Sequence, residues 1–180
     1  MRNVGLFIVI GLLLAPALAL PFSAPQASNE ATLQGQLKRV FPGAPSFSPK
    51  QPGPPPHFIA YTGDAASRTI AGYAFWTTDA EPLERGYDGP IKMLVGVDTK
   101  GILTGVLVVE EHEPYGYFSV QPPKFAAQFK GKDIRDPFKV GGDVDAVSGA
   151  SITINSATRA IRNGARRIAR TLMTPPGTTK

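Results

Sequence analysis

Cysteine is absent from this 180-residue chain, and that absence closes several routes at once. Without a thiol there is no disulfide, no thiolate metal site, no protein-bound iron–sulfur cluster, no c-type haem attachment and no lipoprotein anchor. Redox chemistry here must belong to a cofactor held by other groups. Histidine is nearly as scarce, with two residues, His57 and His112. His57 borders a proline-rich stretch and reads as a surface residue. A zinc site at His112 lacks a second nearby histidine, and consecutive strand residues alternate faces instead of converging on one ion. Strong charge of either sign is also missing: the net +5 is modest and falls largely on C-terminal arginines. They read as a solvated helix face, and no aromatic-interleaved basic patch suggests nucleic acid as a partner. Beyond the first twenty residues no apolar run is long enough to cross a membrane.

What is present begins with an export pattern. Arg2, an apolar core over 5–14 and Ala17-Leu18-Ala19 form a charged start, a hydrophobic stretch and a small-x-small cleavage site. Pro16, Pro21 and Pro25 interrupt the segment, so a cleaved signal over 1–19 is expected, with an uncleaved N-terminal membrane anchor as the alternative. In a bacterial source the mature chain is periplasmic. Residues 28–40 then fit a helix capped by Ser28 or Asn29, with Leu33, Leu37 and Val40 or Phe41 on its apolar side. Residues 44–57 carry six prolines and read as an extended loop, not a second domain.

The middle of the chain reads as sheet. Residues 69–78, rich in β-branched and aromatic side chains, predict a strand. A turn-rich loop over 79–90 contains Arg85-Gly86-Tyr87-Asp88-Gly89-Pro90. Alternation at Ile91, Met93, Val95 and Val97, a tight Asp98-Thr99-Lys100-Gly101 turn and a return through Ile102, Thr104, Val106 and Val108 predict an antiparallel hairpin with one buried face. Glu110-Glu111-His112-Glu113-Pro114 follows, then Tyr115, Tyr117 and Phe118. Pro122 and Pro123 open a short helix with Phe125, Ala126 and Phe129 on one side, ended by Gly131. The fold class is therefore α+β, an antiparallel sheet with packed helices.

The chain converges on Asp145-Ala146-Val147-Ser148-Gly149-Ala150-Ser151-Ile152-Thr153, a small-residue run opening into a long helix. Ile154, Ala157, Ile161, Ala165, Ile168 and Leu172 make a single apolar stripe, with Arg159, Arg162, Arg166 and Arg170 mostly off it. The entrance presents unpaired N–H groups and the positive end of the helix dipole, which suits a phosphate. The glycine admits a close approach, and Ser151 offers a hydroxyl. A plain N-cap reads from the same residues and is what composition alone favours, and an Asx-turn would account for Asp145.

This run resembles the flavinylation motif of FMN-binding domains, Asp-x-x-Ser/Thr-Gly-Ala-Thr followed by x-Thr/Ser. In that family a flavin transferase joins the FMN phosphate to the hydroxyl after Gly-Ala. The resemblance places that phosphoester on Ser151, where most relatives carry Thr. The segments 71–78, 86–91, 94–98 and His112-Glu113-Pro114 are similar to the N-terminal periplasmic domain of NosR/NirI-type regulators. More distantly, the chain resembles the FMN subunits of the Rnf complex and the Na⁺-pumping quinone reductase. The likeness runs from about residue 33 to 172.

Together with the export pattern and the N-terminal helix, this likeness gives a signal at 1–19, an N-terminal helix and proline-rich extension at 20–68, an FMN-binding core at 69–174 and a tail at 175–180. The implied cofactor residues are Asp145, Ser148, Gly149, Ala150, Ser151 and Thr153, with Gly86, Tyr87, Gly89, His112 and Glu113. The 86–89 loop and the Tyr115–Phe118 aromatics are candidates to line the flavin ring, with ordinary packing as the alternative. The larger relatives continue into membrane helices and cysteine-rich modules, so a free-standing flavin domain is expected. It would be a periplasmic electron carrier matured by a flavin transferase and served by a membrane-associated or periplasmic redox partner. The other function class is a flavin-free periplasmic adaptor or regulatory module in which the motif is only a helix cap. Ser148-Gly149-Ala150-Ser151 is not the Gly-x-Ser-x-Gly elbow of serine hydrolases, and no catalytic residue is expected.

Overall fold

In the computed structural model, which describes residues 25–64 and 66–173, the β-branched run predicted around 69–78 becomes the middle of a sheet. Helix α1 (Pro25–Val40) is followed by β1 (Ser46–Phe47), β2 (Phe58–Thr62) and β3 (Thr69–Trp76). Then come one turn of helix α2 (Thr77–Ala80), β4 (Lys92–Asp98), β5 (Leu103–Glu110), the short helices α3 (Gly116–Ser119) and α4 (Pro123–Ala127), and α5 (Ser151–Ile168). A π-helical turn, Ala169–Met173, ends the described chain. The strands lie in the order β1-β2-β3-β4-β5, and every neighbouring pair is antiparallel. The α+β class is as expected.

Helix α5 docks by the stripe its sequence announces. Ile154, Ala157, Ile161, Ala165 and Ile168 are fully buried against Phe75, Met93, Val95 and Val97 from one face of the sheet. Phe125 and Phe129 of the α4 region close the same core, their rings edge-on at 5.1 Å. The close fit of α5 depends on Gly164: a Cβ there would sit 2.5 Å from Phe75 Cε2.

Several details differ from the sequence expectation. The hairpin strand β4 buries both faces, not one, since Met93, Leu94, Val95, Gly96 and Val97 are all buried. Helix α1 is the reason: Leu37 and Val40 pack with Phe58, Ala74 and Leu94 on the face opposite α5. The Thr104 hydroxyl donates to Val40 O at 2.6 Å, and Gly96 and Gly105, paired across β4 and β5, admit the Val40 backbone. The strand starting at Thr69 stops at Trp76. Thr77 turns into α2, and its buried hydroxyl donates to Ile91 O and accepts from Met93 N–H, both at 2.9 Å. Helix α1 begins at Pro25, so Ser28 and Asn29 lie inside it and cannot cap it. The proline-rich stretch contributes β1 and a bridge between Gln51 and His57, and leads directly into β2. The division at 68/69 thus runs between two paired strands. His57 is buried, not on the surface: Nδ1 lies 3.0 Å from Pro55 O, and its ring meets Tyr73 edge-on.

The arginines of α5 are not simply a solvated face. Arg159 grips Glu84 at 2.7 Å, Arg167 reaches Glu81 at 2.9 Å, and Arg166 donates to the carbonyls of Ile134 and Asp136. Glu84 is held below the ordinary carboxylate range chiefly by the Arg159 hydrogen bonds. These contacts fix the segments on either side of the helix that carries the site. Among the described residues no helix is long and apolar enough to cross a membrane. The expected signal over 1–19 and the tail over 175–180 lie outside the described residues.

Candidate functional site

The site forms where the chain enters α5. Gly149 has φ +80°, a left-handed conformation that costs a side-chain-bearing residue ~1–2 kcal/mol. Nothing lies within 4 Å of where its Cβ would be, so the glycine is required by backbone shape and not by crowding within the chain. Ala150 occupies the N-cap position with no side-chain capping bond, and Ser151 is the first helical residue. The N-cap reading of Ser151 therefore fails, since the hydroxyl sits one position too late. It is exposed, while Asn155 Nδ2 donates to the Ser151 carbonyl at 2.8 Å. The first backbone bond of the helix runs from Ile154 N–H to Ala150 O. Among the described residues the N–H groups of Ser151, Ile152 and Thr153 have no such acceptor and lie at the positive end of an 18-residue dipole.

These residues open onto a cleft of about 410 Å³ lined by Tyr87, Pro114, Tyr115 and the run Gly149-Ala150-Ser151-Ile152-Thr153. Its volume lies in the range of small-molecule sites. Tyr87, Tyr115 and Ile152 are large apolar side chains left 70%, 50% and 56% exposed. Tyr115 is thus a wall of the cleft, and ordinary core packing does not account for it. Tyr117 is exposed as well and touches Phe118 edge-on at 4.9 Å.

Behind the cleft stands Glu113, which is buried. Its carboxylate accepts the N–H of Tyr87 on Oε2 and of Asp88 on Oε1, each at 2.9 Å, and the Thr153 hydroxyl donates to Oε2. Burial pushes the Glu113 carboxyl up, but the bonds from Thr153, Tyr87 and Asp88 outweigh it and hold it below the usual range. The adjoining loop closes on itself, with Gly86 N–H donating to Gly89 O at 2.7 Å. A second carboxylate sets the next turn: Glu111 accepts the Glu113 N–H at 2.6 Å and the Gln121 side-chain amide.

Of the residues expected in the site, Tyr87, Gly149, Ala150, Ser151 and Thr153 line the cleft together, and Gly86, Gly89 and Glu113 support it from behind. Ser148 and Asp145 are exposed and outside the lining, with the Asp145 N–H donated to Gln128 Oε1 at 2.8 Å. His112 is exposed and also outside it. Of the two hydroxyls in the helix's first turn, Thr153 is buried and engaged by Glu113, which leaves Ser151 as the free one. Pro114 and Ile152 were not foreseen. Ile152 carries a readable signal, because it is the one large apolar residue of the helix entrance that falls off the apolar stripe.

The sequence profile of the FMN-binding domain family matches residues 86–166, a span that contains every residue lining the cleft. The G component of the ion-translocating oxidoreductase complex of Pseudomonas aeruginosa strain UCBPP-PA14 is 30% identical, over 90% of this chain and 84% of the relative. Its counterpart from Methanosarcina acetivorans is 28% identical over 87% of each chain. The regulatory protein NosR of Stutzerimonas stutzeri is 28% identical over 82% of this chain but only 21% of its own length.

Proposed function

The chain belongs to the FMN-binding domain family, and on that premise we propose that it is a periplasmic electron-transfer protein whose FMN is joined through its phosphate to Ser151. The observation that carries this reading is the pairing of an exposed hydroxyl on a helix N-terminus with a cleft walled by flat and apolar side chains. The residues fit the two ends of FMN. The free N–H groups of Ser151, Ile152 and Thr153 and the helix dipole receive the phosphate, worth ~0.3–1 kcal/mol for an exposed charge. Tyr87, Pro114, Tyr115 and Ile152 offer surfaces on which a planar ring stacks. FMN, when bound, supplies the acceptance and release of electrons that a chain without cysteine does not supply with its own side chains.

Attachment by a flavin transferase needs only the one hydroxyl. The Ser151 oxygen forms the bond to the flavin phosphorus, the bond from phosphorus to the donor's leaving group breaks, and the hydroxyl proton passes to the transferase. No electrons are gained or lost. Covalent attachment removes dissociation, which matters to an exported protein with no access to cytoplasmic FMN. The ion-translocating oxidoreductase relatives support a redox partner, and in this proposal residues 1–19 act as the signal that exports the chain to the periplasm.

The position of Ser151 inside its helix, not at the cap, supports the flavin-acceptor reading over the flavin-free adaptor. Co-production of the full chain with a periplasmic flavin transferase, followed by denaturation, in-gel flavin fluorescence and peptide mass mapping, tests the proposal. The expected result is a fluorescent wild type with the adduct on Ser151, and a dark Ser151→Ala protein. A dark wild type, under conditions that label a Thr-bearing relative, overturns the covalent reading.

A further inference from the structure

A buried carboxylate needs donors, and Glu113 takes them from two parts of the chain that together make the cleft. Tyr87 and Asp88 give backbone N–H groups from the loop after α2; Thr153 gives its hydroxyl from the first turn of α5. Gly86 is shaped around the same group, since a Cβ there would lie no more than 2.7 Å from all three atoms of the carboxylate. None of the eight residues lining the cleft is Glu113 itself, yet two of them, Tyr87 and Thr153, are its hydrogen-bond partners.

We propose that Glu113 is a positioning residue: its carboxylate ties the Tyr87 loop to the α5 entrance and so sets where the Tyr87 wall stands against the flavin ring. The proposal rests on the FMN reading above and goes beyond it, giving the side chains of Glu113 and Thr153 a shared role in holding the cleft walls together. The chemistry of the acceptor is decisive. A carboxylate has acceptor sites on both oxygens, enough for two N–H groups and one hydroxyl. A glutamine has one acceptor oxygen and turns an NH₂ toward the remaining donors, so Glu113→Gln keeps the shape and must break at least one contact. Thr153→Val removes one donor and leaves the carboxylate in place, while Thr153→Ser keeps the hydroxyl.

The experiment uses the full chain produced with and without a flavin transferase. In flavin-free protein, amide hydrogen exchange of Tyr87 and Asp88 is measured for wild type, Glu113→Gln, Thr153→Val and Thr153→Ser. In flavin-loaded protein, visible circular dichroism and flavin fluorescence are read. Glu113→Gln, with wild-type far-ultraviolet dichroism, is expected to exchange at least one of these two amides roughly tenfold faster or more, as loss of a hydrogen bond to a charged acceptor implies. Its flavin should lose most of its induced dichroism and fluoresce more brightly, because the ring is no longer held against Tyr87. Thr153→Val should move both readouts part of the way, and Thr153→Ser should restore them. A folded Glu113→Gln protein with wild-type exchange, or with wild-type flavin dichroism and fluorescence, overturns the proposal. If Glu113→Gln does not fold, Thr153→Val decides by the same two readouts. A wild type that takes up no flavin overturns the FMN reading instead, so the wild-type sample separates the two failures.

Discussion

Single atoms decide most of the site. Because Ser151 occupies the first helical position and not the cap, its replacement by Ala should change stability by less than about 0.5 kcal/mol, as at an ordinary surface position, where a true cap would lose ~0.5–2 kcal/mol. Urea titration of Ser151→Ala measures this independently of any flavin. Gly149 is the opposite case. Its left-handed backbone should make Gly149→Val destabilising by ~1–2 kcal/mol or somewhat more and abolish flavin incorporation while the domain still folds. Gly149→Asn should keep part of both, since Asn tolerates that conformation best after glycine. A Gly149→Val protein with full flavin content would show that this turn is not needed. Glu113 adds a pH dependence with a definite sign. Its folded carboxyl is held below the ordinary value, so its stabilising contribution is present above the unfolded value of ~4.3. That contribution is lost as pH falls through the folded value. The stability gap between wild type and Glu113→Gln, read by urea unfolding at pH 7 and again near pH 3, should therefore narrow in acid. The motif from Gly149 to Thr153 was legible in the sequence because it is contiguous. Glu113 was legible only as a candidate contact, since nothing in Glu110-Glu111-His112-Glu113 says which of its acidic side chains turns inward.

At the scale of elements, two positions show how strands and helices are locked together. Thr77 satisfies the buried Ile91 carbonyl and Met93 N–H with one hydroxyl. Thr77→Val keeps the volume and orphans both backbone groups, so a loss of roughly 2–6 kcal/mol is expected, at about 1–3 kcal/mol for each unsatisfied group. Gly164→Ala sets two effects against each other. Helix propensity favours Ala by ~0.8–1 kcal/mol, whereas overpacking in a filled core costs ~1–3 kcal/mol. With Phe75 Cε2 only 2.5 Å from the added methyl, overpacking should win and the melting temperature should fall. A rise would mean that α5 can shift away from the sheet. The hairpin and α5 were readable because alternation and the three-to-four spacing run uninterrupted through them. Phe58–Thr62 was missed: five residues behind a run of prolines carry too little pattern to stand apart from a loop. The second buried face of β4 was hidden for another reason. It depends on where α1 lands, and Gly96 and Gly105, which admit Val40, look like weak points in a strand until the partner is seen.

For the whole molecule, the family membership and the site agree on FMN, and the export proposal adds a prediction of its own. Intact mass of the protein recovered from a periplasmic fraction should correspond to a chain beginning near Leu20 and carrying one FMN, within the few-residue error of such boundaries. Full-length protein in the cytoplasm would remove the localisation, and full-length protein in the membrane would favour an anchor. The order of the sheet has a separate consequence, in time instead of space. Each strand pairs with its neighbour in sequence, so strand pairing closes short loops and can proceed early. The cleft cannot form with it, because one wall comes from Tyr87 and Tyr115 and the other from the last helix. In refolding, fluorescence of Trp76, the only tryptophan, should recover ahead of amide protection at Tyr87 and Asp88 in pulsed exchange. Coincident recovery would mean that sheet and α5 assemble in one step. On the proposed export and flavinylation, a chain still emerging from a translocation pore would have its strands in place but no competent acceptor, and a transferase could act on it only after the C-terminal helix is through.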